Sequence, residues 1–258
     1  MIITDADLAV FIQQYFLPFC RISGMFLAMP VIGSRLLPAR VRLVLAVLIS
    51  IIVVPLLPEI SASPNLSIQT LIVVGKELLL GVCVGFVFQV VFQVFVLAGQ
   101  IMAMKMGLGF ASMNDPTNGV QTTALSQFFL MLCTLMFIAI NGHLILISML
   151  VNSFTSFPPG SITYHPQIFM EIVNLGGWLF ASAIVFALPV ITALLFVNMA
   201  FGVMSRAAPQ LNIFAVGFPF TLICGLLLVW LGLTNFSTSF DQTMDSGFIF
   251  VRELLSNG

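Results

Sequence analysis

Long apolar runs separated by short polar links make up most of this sequence. A helix needs about 20 apolar residues to cross a hydrocarbon core roughly 30 Å thick, and several of the runs reach that length. We therefore predict an all-α integral membrane protein with long, kinked helices, which form one membrane-embedded domain over residues 1–258. The predicted spans are residues 8–32, 43–57, 68–106, 122–151, 168–204 and 213–233.

Prolines and glycines predict where these helices bend or meet. Pro18 and Pro30 lie inside the first span, and a proline removes a helix hydrogen bond, so this span is predicted to be kinked or broken. As one helix, residues 68–106 would be roughly 58 Å long, so it must tilt, bend or project beyond the bilayer. Gly81 and Gly85 form a small-xxx-small face that allows close approach of another helix, although glycines are also common in membrane helices without such a role.

The composition fits a membrane protein and argues against several other classes. Hydrophobic residues make up 60% of the chain and charged residues 7%, and the mean hydropathy is +1.17, far from the values of soluble domains. The net charge of −1 argues against nucleic acid as a partner, because phosphate binding requires clustered Lys and Arg. The first residues, MIITDADL, are acidic, so we expect the first run to remain as a span and not to be a cleavable signal.

Loop charges predict an orientation. If the spans alternate, five cations share one side of the membrane, and the positive-inside rule makes that side cytoplasmic. These cations are Arg35, Arg40, Arg42, Lys105 and Arg206. In the tail, residues 237–258, apolar side chains recur at helical spacing and acidic ones point elsewhere, which predicts an amphipathic helix lying on the membrane or against a partner. Its apolar positions are Phe240, Met244, Phe248, Val251 and Leu255.

Three charged residues inside the predicted spans have open roles. Lys76 and Glu77 are adjacent and point about 100° apart on a helix, so either each meets a different partner helix or both lie near a membrane edge. Arg21 is either functional or extended to the interface, since long basic side chains snorkel.

No constellation of residues predicts catalysis, a cofactor or a metal site. His143 has no second His or Cys at metal-ligand spacing, and a hydrogen bond to a neighbouring helix is its favoured role. An intramembrane enzyme using His143 is the alternative. The four cysteines have no CxxC spacing and are expected to act as small buried hydrophobes. They are Cys20, Cys83, Cys133 and Cys224.

The segment 102–120, MAMKMGLGFASMNDPTNGV, stands between two apolar runs and has a different composition from both. Irregular backbone at membrane depth must be buried in protein or line a water-filled space. Its methionines offer a soft, adaptable surface, Gly107 and Gly109 let the backbone leave the helix, and residues 114–119 supply turn chemistry. A mobile plug is one interpretation, and a surface loop with incidental methionines is the other.

Four stretches resemble the FliR family of flagellar biosynthetic proteins, which also includes a subunit of virulence type III secretion systems. They are PVIGSRLLPARVR (30–42), KMGLGFASMNDP (105–116), NGHLILIS (141–148) and ALPVITALLFVNMAFGVMSRAAPQLNIFAVGFP (187–219). Their order and spacing fit the family along nearly the whole chain. The resemblance implies a flagellar export-gate subunit at the bacterial inner membrane, in the basal body, through which unfolded flagellar proteins pass.

The resemblance also implies partners and site residues. One FliR-type chain assembles with several copies of FliP and FliQ, and FlhB surrounds the cytoplasmic entrance. Residues 1–152 are then FliP-like and residues 167–236 a FliQ-like hairpin. The family's plug loop matches residues 106–120, and we expect FlhB contact at Arg206, Pro209 and Gln210. The plug residues are Met106, Gly107, Gly109, Phe110, Met113, Asn114, Asp115, Pro116, Asn118 and Gly119.

Two alternatives to this export function are a virulence export-gate subunit and a small-molecule secondary transporter. Broken helices often build the midplane sites of transporters, but the chain shows no convincing internal repeat and has few intramembrane charges.

Overall fold

The structure is a computed structural model that describes residues 12–33, 37–57, 68–108, 123–159, 166–207 and 213–256. The described residues are almost entirely helical and contain no strand, which confirms the all-α fold. Their α-helices are α1 (Leu17–Ala28), α2 (Ala39–Val53), α3 (Ile68–Lys105), α4 (Ala124–Ala139), α5 (Gly142–Ser156), α6 (Pro166–Ala207), α7 (Ile213–Gly232) and α8 (Phe236–Ser256). A π-helical turn, Ile12–Phe16, precedes α1, and short 3-10 turns follow α2 and α7.

In the first predicted span, the described helix runs from the π-helical turn at Ile12 through Pro18 and stops before Pro30, so only the second proline ends it as predicted. Pro18 stands in the first turn of α1, where a missing N–H leaves no intrahelical partner unsatisfied. The helix ends at Ala28, before Pro30. Its 12 residues extend about 18 Å, so α1 is too short to cross a bilayer core alone.

Four helical stretches of the described chain are long and apolar enough to cross a membrane, or five if the bent pair α4 and α5 counts as one. The prediction of six similar spans is therefore wrong for the described residues. The four stretches are Ala39–Leu56, Thr70–Lys105, Met170–Ala207 and Val216–Leu255. Helices α3 and α6 are continuous over 38 and 42 residues, about 57 and 63 Å, so both exceed the thickness of a hydrocarbon core.

The predicted continuous span 122–151 is also wrong, because the chain bends by 64° between α4 and α5. Asn141 adopts left-handed backbone angles, φ 55° and ψ 31°, which Asn tolerates better than most side chains. At Gly142 a Cβ atom would collide with the ring of Phe137. The helix stops here because Asn141 has left-handed backbone angles and Gly142 lies against the ring of Phe137.

The chain divides into two compact units. The first contains the described residues of 1–90, 137–176 and 246–258. Its core includes the ring of Phe88, whose centroid lies 6.0 Å from that of Phe137 and 5.0 Å from that of Phe248. Short helix α1 is almost enclosed in this unit, with Leu27 as its one strongly exposed side chain.

The second unit contains the described residues of 91–136 and 177–245. A cluster of phenylalanine rings with centroids 5.4–6.3 Å apart joins helices α3, α4, α6 and α8. The cluster consists of Phe95, Phe129, Phe186, Phe236 and Phe240. Rings at these spacings pack edge to face or offset, as aromatic quadrupoles favour.

The tail forms the predicted amphipathic helix, α8. Phe240, Met244 and Val251 are buried, whereas Asp241 and Asp245 are exposed. The predicted place of the apolar face, on a membrane or against a partner, needs correction, because the face packs inside the chain. Within their own units, Phe240 contacts the ring of Phe95 and Phe248 contacts that of Phe88.

Candidate functional site

Helix α3 ends in a Schellman motif at the start of the segment 106–120. The N–H of Leu108 donates to the carbonyl of Ala103 at 2.9 Å, and the N–H of Gly107 donates to the carbonyl of Met104 at 3.1 Å. Gly107 has φ +85°, a conformation that glycine adopts without a Cβ clash. The direction in which the chain leaves α3 is therefore fixed by local hydrogen bonds.

Two residues of α7 pack on this chain end. Met106 is fully buried, and a Cβ atom built on Gly225 would lie only 2.5 Å from its Cγ. A Cβ atom on Gly107 would lie 2.7 Å from Cε2 of the Phe218 ring. We call Phe218 and Gly225 the α7 seat, because Met106 and Gly107 rest on them.

The first turn of α4 is fixed on the other side of the segment. Thr123 is buried and its Oγ1 accepts from the N–H of Ser126 at 3.3 Å, while the two hydroxyls lie 2.9 Å apart. This is an N-cap, which satisfies a free donor of the helix start. Gly99 of α3 lies against the same turn, since its added Cβ would be 2.9 Å from Cα of Ser126.

An open groove of about 330 Å³ lies between α6 and α7, beside the α7 seat. Small side chains leave this space open, and Phe218 contributes both to its wall and to the seat. The lining residues are Asn198, Phe201, Gly202, Ser205, Gly217, Phe218 and Thr221. Next to it the rings of Phe201 and Phe220 meet edge to face at 5.3 Å, which links the two helices.

The structure describes only part of the residue set predicted from the sequence. Met106 and Gly107 lie together on the α7 seat. Arg206 is exposed in the last turn of α6. The remaining predicted plug and contact positions lie outside the described residues; they are Gly109, Phe110, Met113, Asn114, Asp115, Pro116, Asn118, Gly119, Pro209 and Gln210.

Glycines bring α1 and α3 into backbone contact in the first unit. A Cβ atom on Gly81 would collide with the carbonyl oxygen of Arg21, and one on Gly85 would lie 2.6 Å from that of Met25. From the other helix, a Cβ on Gly24 would lie 2.5 Å from the carbonyl oxygen of Leu78. Only residues without a side chain allow this separation.

A buried ion pair accompanies this contact. Nε of Arg21 donates to Oε2 of Glu77 at 2.7 Å, and both side chains are fully buried. The two Nη groups of Arg21 donate to Oγ of Ser153 at 3.0 Å and to the carbonyl of Phe157 at 2.8 Å, and Cζ lies 4.1 Å above the ring of Phe154. Snorkelling of Arg21 is therefore wrong: a buried carboxylate and two oxygens already satisfy its charge.

His143 follows the bend between α4 and α5. Its Nδ1 atom is buried and has no hydrogen-bond partner among the described residues, so the predicted bond to a neighbouring helix is not formed by this atom. No group of three His, Cys, Asp or Glu side chains in the described chain is placed to hold a metal ion. All four cysteines are free, with Cys20 and Cys133 buried and the other two half-buried.

Together these features define an all-α, multi-pass membrane protein in which a glycine- and methionine-rich segment is held at both ends by packed helices. Apolar contacts and helix caps hold the two ends of this segment in place.

The chain belongs to the bacterial export proteins, family 1, which match residues 12–247. It is similar to flagellar biosynthetic protein FliR of Pectobacterium carotovorum, with 36% identity that covers 97% of this chain and 95% of the relative. It is also similar to FliR of Escherichia coli, 35% identical over 88% of this chain and 87% of the relative. FliR of Aquifex aeolicus is 30% identical, covering 86% of each. The chain is therefore a multi-pass inner-membrane protein of flagellar export.

Proposed function

We propose that this chain forms part of the channel of the flagellar export gate and that residues 106–120 plug it. In the closed state the plug restricts leakage, and an arriving unfolded flagellar protein displaces it. The observation that supports this most directly is the α7 seat, where a Schellman motif and two α7 residues fix Met106 and Gly107. A segment with such fixed ends can shift between two positions without the rest of the molecule unfolding.

FliP and FliQ in several copies and FlhB are the proposed partners. Exposed apolar surface supports an assembly, because only 22% of the apolar stretch Ala39–Leu56 is buried within this chain. A large apolar surface must be covered by lipid or by other subunits. Its most exposed side chains are Leu43, Val44, Leu48, Ile51, Ile52 and Leu56.

We propose contact with FlhB at the exposed end of α6, where Arg206 presents a positive charge. In the same scheme residues 1–152 act as the FliP-like part and residues 167–236 as the FliQ-like hairpin.

We assign the chain no catalytic role. The family is a structural component of the export apparatus, and the contacts of the site are apolar packing and helix caps. Energy for transport is then supplied by other parts of the machine.

Site-specific crosslinking of a stalled, unfolded flagellar export substrate tests the proposed plug. A photo-crosslinking residue at Phe110 or Met113 should capture the substrate in the assembled gate, because the plug borders the path. The matched control is the same crosslinker at Ile52, which is 66% exposed on α2 and should capture lipid or partner subunits. Capture from Ile52 but not from the segment would contradict the proposal.

Co-purification tests the partners. A tagged copy of this chain should retain FliP-like and FliQ-like proteins from its own membranes, and a crosslinker at Ala207 should capture FlhB while one at the exposed Asp241 should not. Purification of the chain without these proteins would refute the assembly.

A further inference from the structure

The buried ion pair of the first unit joins a short helix to a long one. We propose that Arg21 and Glu77 are positioning residues that fix where α1 lies along α3, and that they exclude an arrangement in which α1 is displaced by one helical turn. The glycines between the two helices allow close approach, and the ion pair selects the register. Both residues belong to the first unit, and neither belongs to the segment 106–120.

Helix α1 has few features of its own that could fix its position. Its 12 residues make about three turns, whereas α3 has 38 residues. Apart from Arg21 and Ser23, its side chains are apolar or absent. Apolar contacts are non-directional, so a displaced α1 can form similar contacts with the long helix.

The glycines of α3 repeat at a spacing of about one turn and therefore do not define a single register. Gly81 faces the carbonyl of Arg21, and Gly85 faces the carbonyl of Met25. A shift of α1 by four residues toward the C-terminal end of α3 brings the Arg21 carbonyl to Gly85 and the Met25 carbonyl to Gln89. One glycine contact is then kept, and the Cβ atom of Gln89 opposes the other. The opposite shift likewise keeps one glycine contact.

The two charges do not tolerate such a shift. Nε of Arg21 lies 2.7 Å from Oε2 of Glu77, and both side chains are fully buried. A shift of four residues moves α1 by about 6 Å along α3, which separates the charges inside the protein. A buried charge without its partner lowers the population of the displaced arrangement by roughly a hundredfold or more. Selection of one register is a known role of buried polar groups between helices.

Helix α5 holds the same guanidinium group from a second side. Nη1 of Arg21 donates to Oγ of Ser153 at 3.0 Å, and Nη2 donates at 2.8 Å to the carbonyl of Phe157, the C-cap residue of α5. The helix dipole favours a positive charge at this end. These donors also lose their partners when α1 moves along α3, so two helices define the position of Arg21.

The register of α1 also affects the start of α2. The N–H of Gly33 donates to the carbonyl of Met29 at 2.7 Å. Arg42 of α2 donates to the carbonyls of Gly33 and Leu37 at 3.4 and 3.3 Å. A displacement of α1 is therefore passed on to α2, which begins one of the stretches long enough to cross a membrane.

The distance between two spin labels in the assembled gate measures the register, whether or not stability changes. The labels replace Leu27 on α1 and Leu71 on α3, which are both exposed in this chain, after the native cysteines have been changed to alanine. Gln89→Gly extends the glycine repeat by one turn, so that no Cβ atom opposes the displaced register. With the ion pair intact, this variant should keep the single distance of the unaltered chain.

Removal of the charges should then release α1. Adding Arg21→Met and Glu77→Met to Gln89→Gly should produce a second distance, longer by about 5 Å, in at least roughly a tenth of the molecules. Labels at Leu71 and Phe86, both on α3, are the control, since their distance should not change. Where the methionine variant lowers the yield of assembled gate, Arg21→Gln with Glu77→Gln replaces it, because two amides keep a hydrogen bond without the charges. The same second distance is expected.

Two results would overturn the proposed role of the ion pair. A single, unchanged distance in the charge-free Gln89→Gly variants would show that apolar packing alone fixes the register. Two distances in Gln89→Gly with the ion pair intact would show that the register depends on where the glycine repeat ends and not on the charges.

Discussion

At the residue scale, single positions control the two best-defined parts of the molecule. Gly107 ends α3 with a left-handed turn, and Arg21 distributes its donors over one carboxylate, one hydroxyl and one carbonyl. No other side chain can replace Gly107 without strain at its left-handed backbone angles, and none can replace all the hydrogen bonds of Arg21. Substitutions there should be felt more strongly than at exposed positions nearby.

Removing one partner of the buried ion pair should destabilise the protein. Glu77→Met leaves the Arg21 charge buried without its carboxylate, and such changes cost about 3–5 kcal/mol. The double variant Arg21→Met with Glu77→Met leaves no buried charge and should be less destabilised. Thermal unfolding of the assembled complex in detergent measures both, with Arg252→Met on the exposed side of α8 as a control. Equal losses for the single and double variants would argue against an essential charge pair.

Glycine-to-alanine substitutions at two positions should change the free energy of unfolding in opposite directions. Gly107→Ala requires a left-handed alanine, at about 1–2 kcal/mol, and displaces the Phe218 ring. Gly202→Ala lies inside helix α6 in open space and should stabilise by up to about 1 kcal/mol. The same unfolding measurement compares them. A stable Gly107→Ala variant would show that the Schellman turn is not required.

At the element scale, the contacts between helices depend on missing side chains. Helices α1 and α3 meet at Gly24, Gly81 and Gly85, and α3 meets the start of α4 at Gly99. Close approach of this kind lets van der Waals contacts replace the hydrophobic effect, which does not drive helix association in lipid. The short α1 is held in place by that contact and by the ion pair.

Gly81→Ala should separate α1 from α3, because the new Cβ meets the backbone of Arg21 and not a flexible side chain. We expect the free energy of unfolding to fall by about 1–3 kcal/mol and the Arg21–Glu77 pair to weaken. Gly75→Ala is the matched control, six residues earlier on the same helix, where a Cβ meets nothing within 4 Å. Protein levels and thermal unfolding in membranes distinguish them. Equal stability of the two variants would contradict the close contact.

The sequence predicted some of these elements and not others, for physical reasons. The apolar run of 68–106, interrupted only by Lys76, Glu77 and scattered Gln, predicted helix α3 to within one residue of its end. The bend at Asn141 was missed because apolar residues continue on both sides, and the turn-forming pair Asn141–Gly142 was its only local signal. The partner of Arg21 lies 56 positions away, a distance over which periodicity carries no information.

At the scale of the whole molecule, the candidate site combines a segment that the sequence identified with a seat that it did not. The segment 102–120 stood out through composition, whereas Gly225 is one of the 19 glycines of the chain and Phe218 one of its 26 phenylalanines. Only the folded chain shows that these residues meet. The exposed apolar surface of α2 likewise shows that the chain works in contact with lipid or other subunits.

The most direct test of the account is the ion permeability of the assembled gate after deletion of residues 109–119, which keeps Met106 to Leu108 in place. Removing the plug opens the path, so we expect a rise in permeability while FliP-like and FliQ-like partners still co-purify in normal amounts. Permeability equal to that of the unaltered gate, in complexes of normal composition, would contradict the plug.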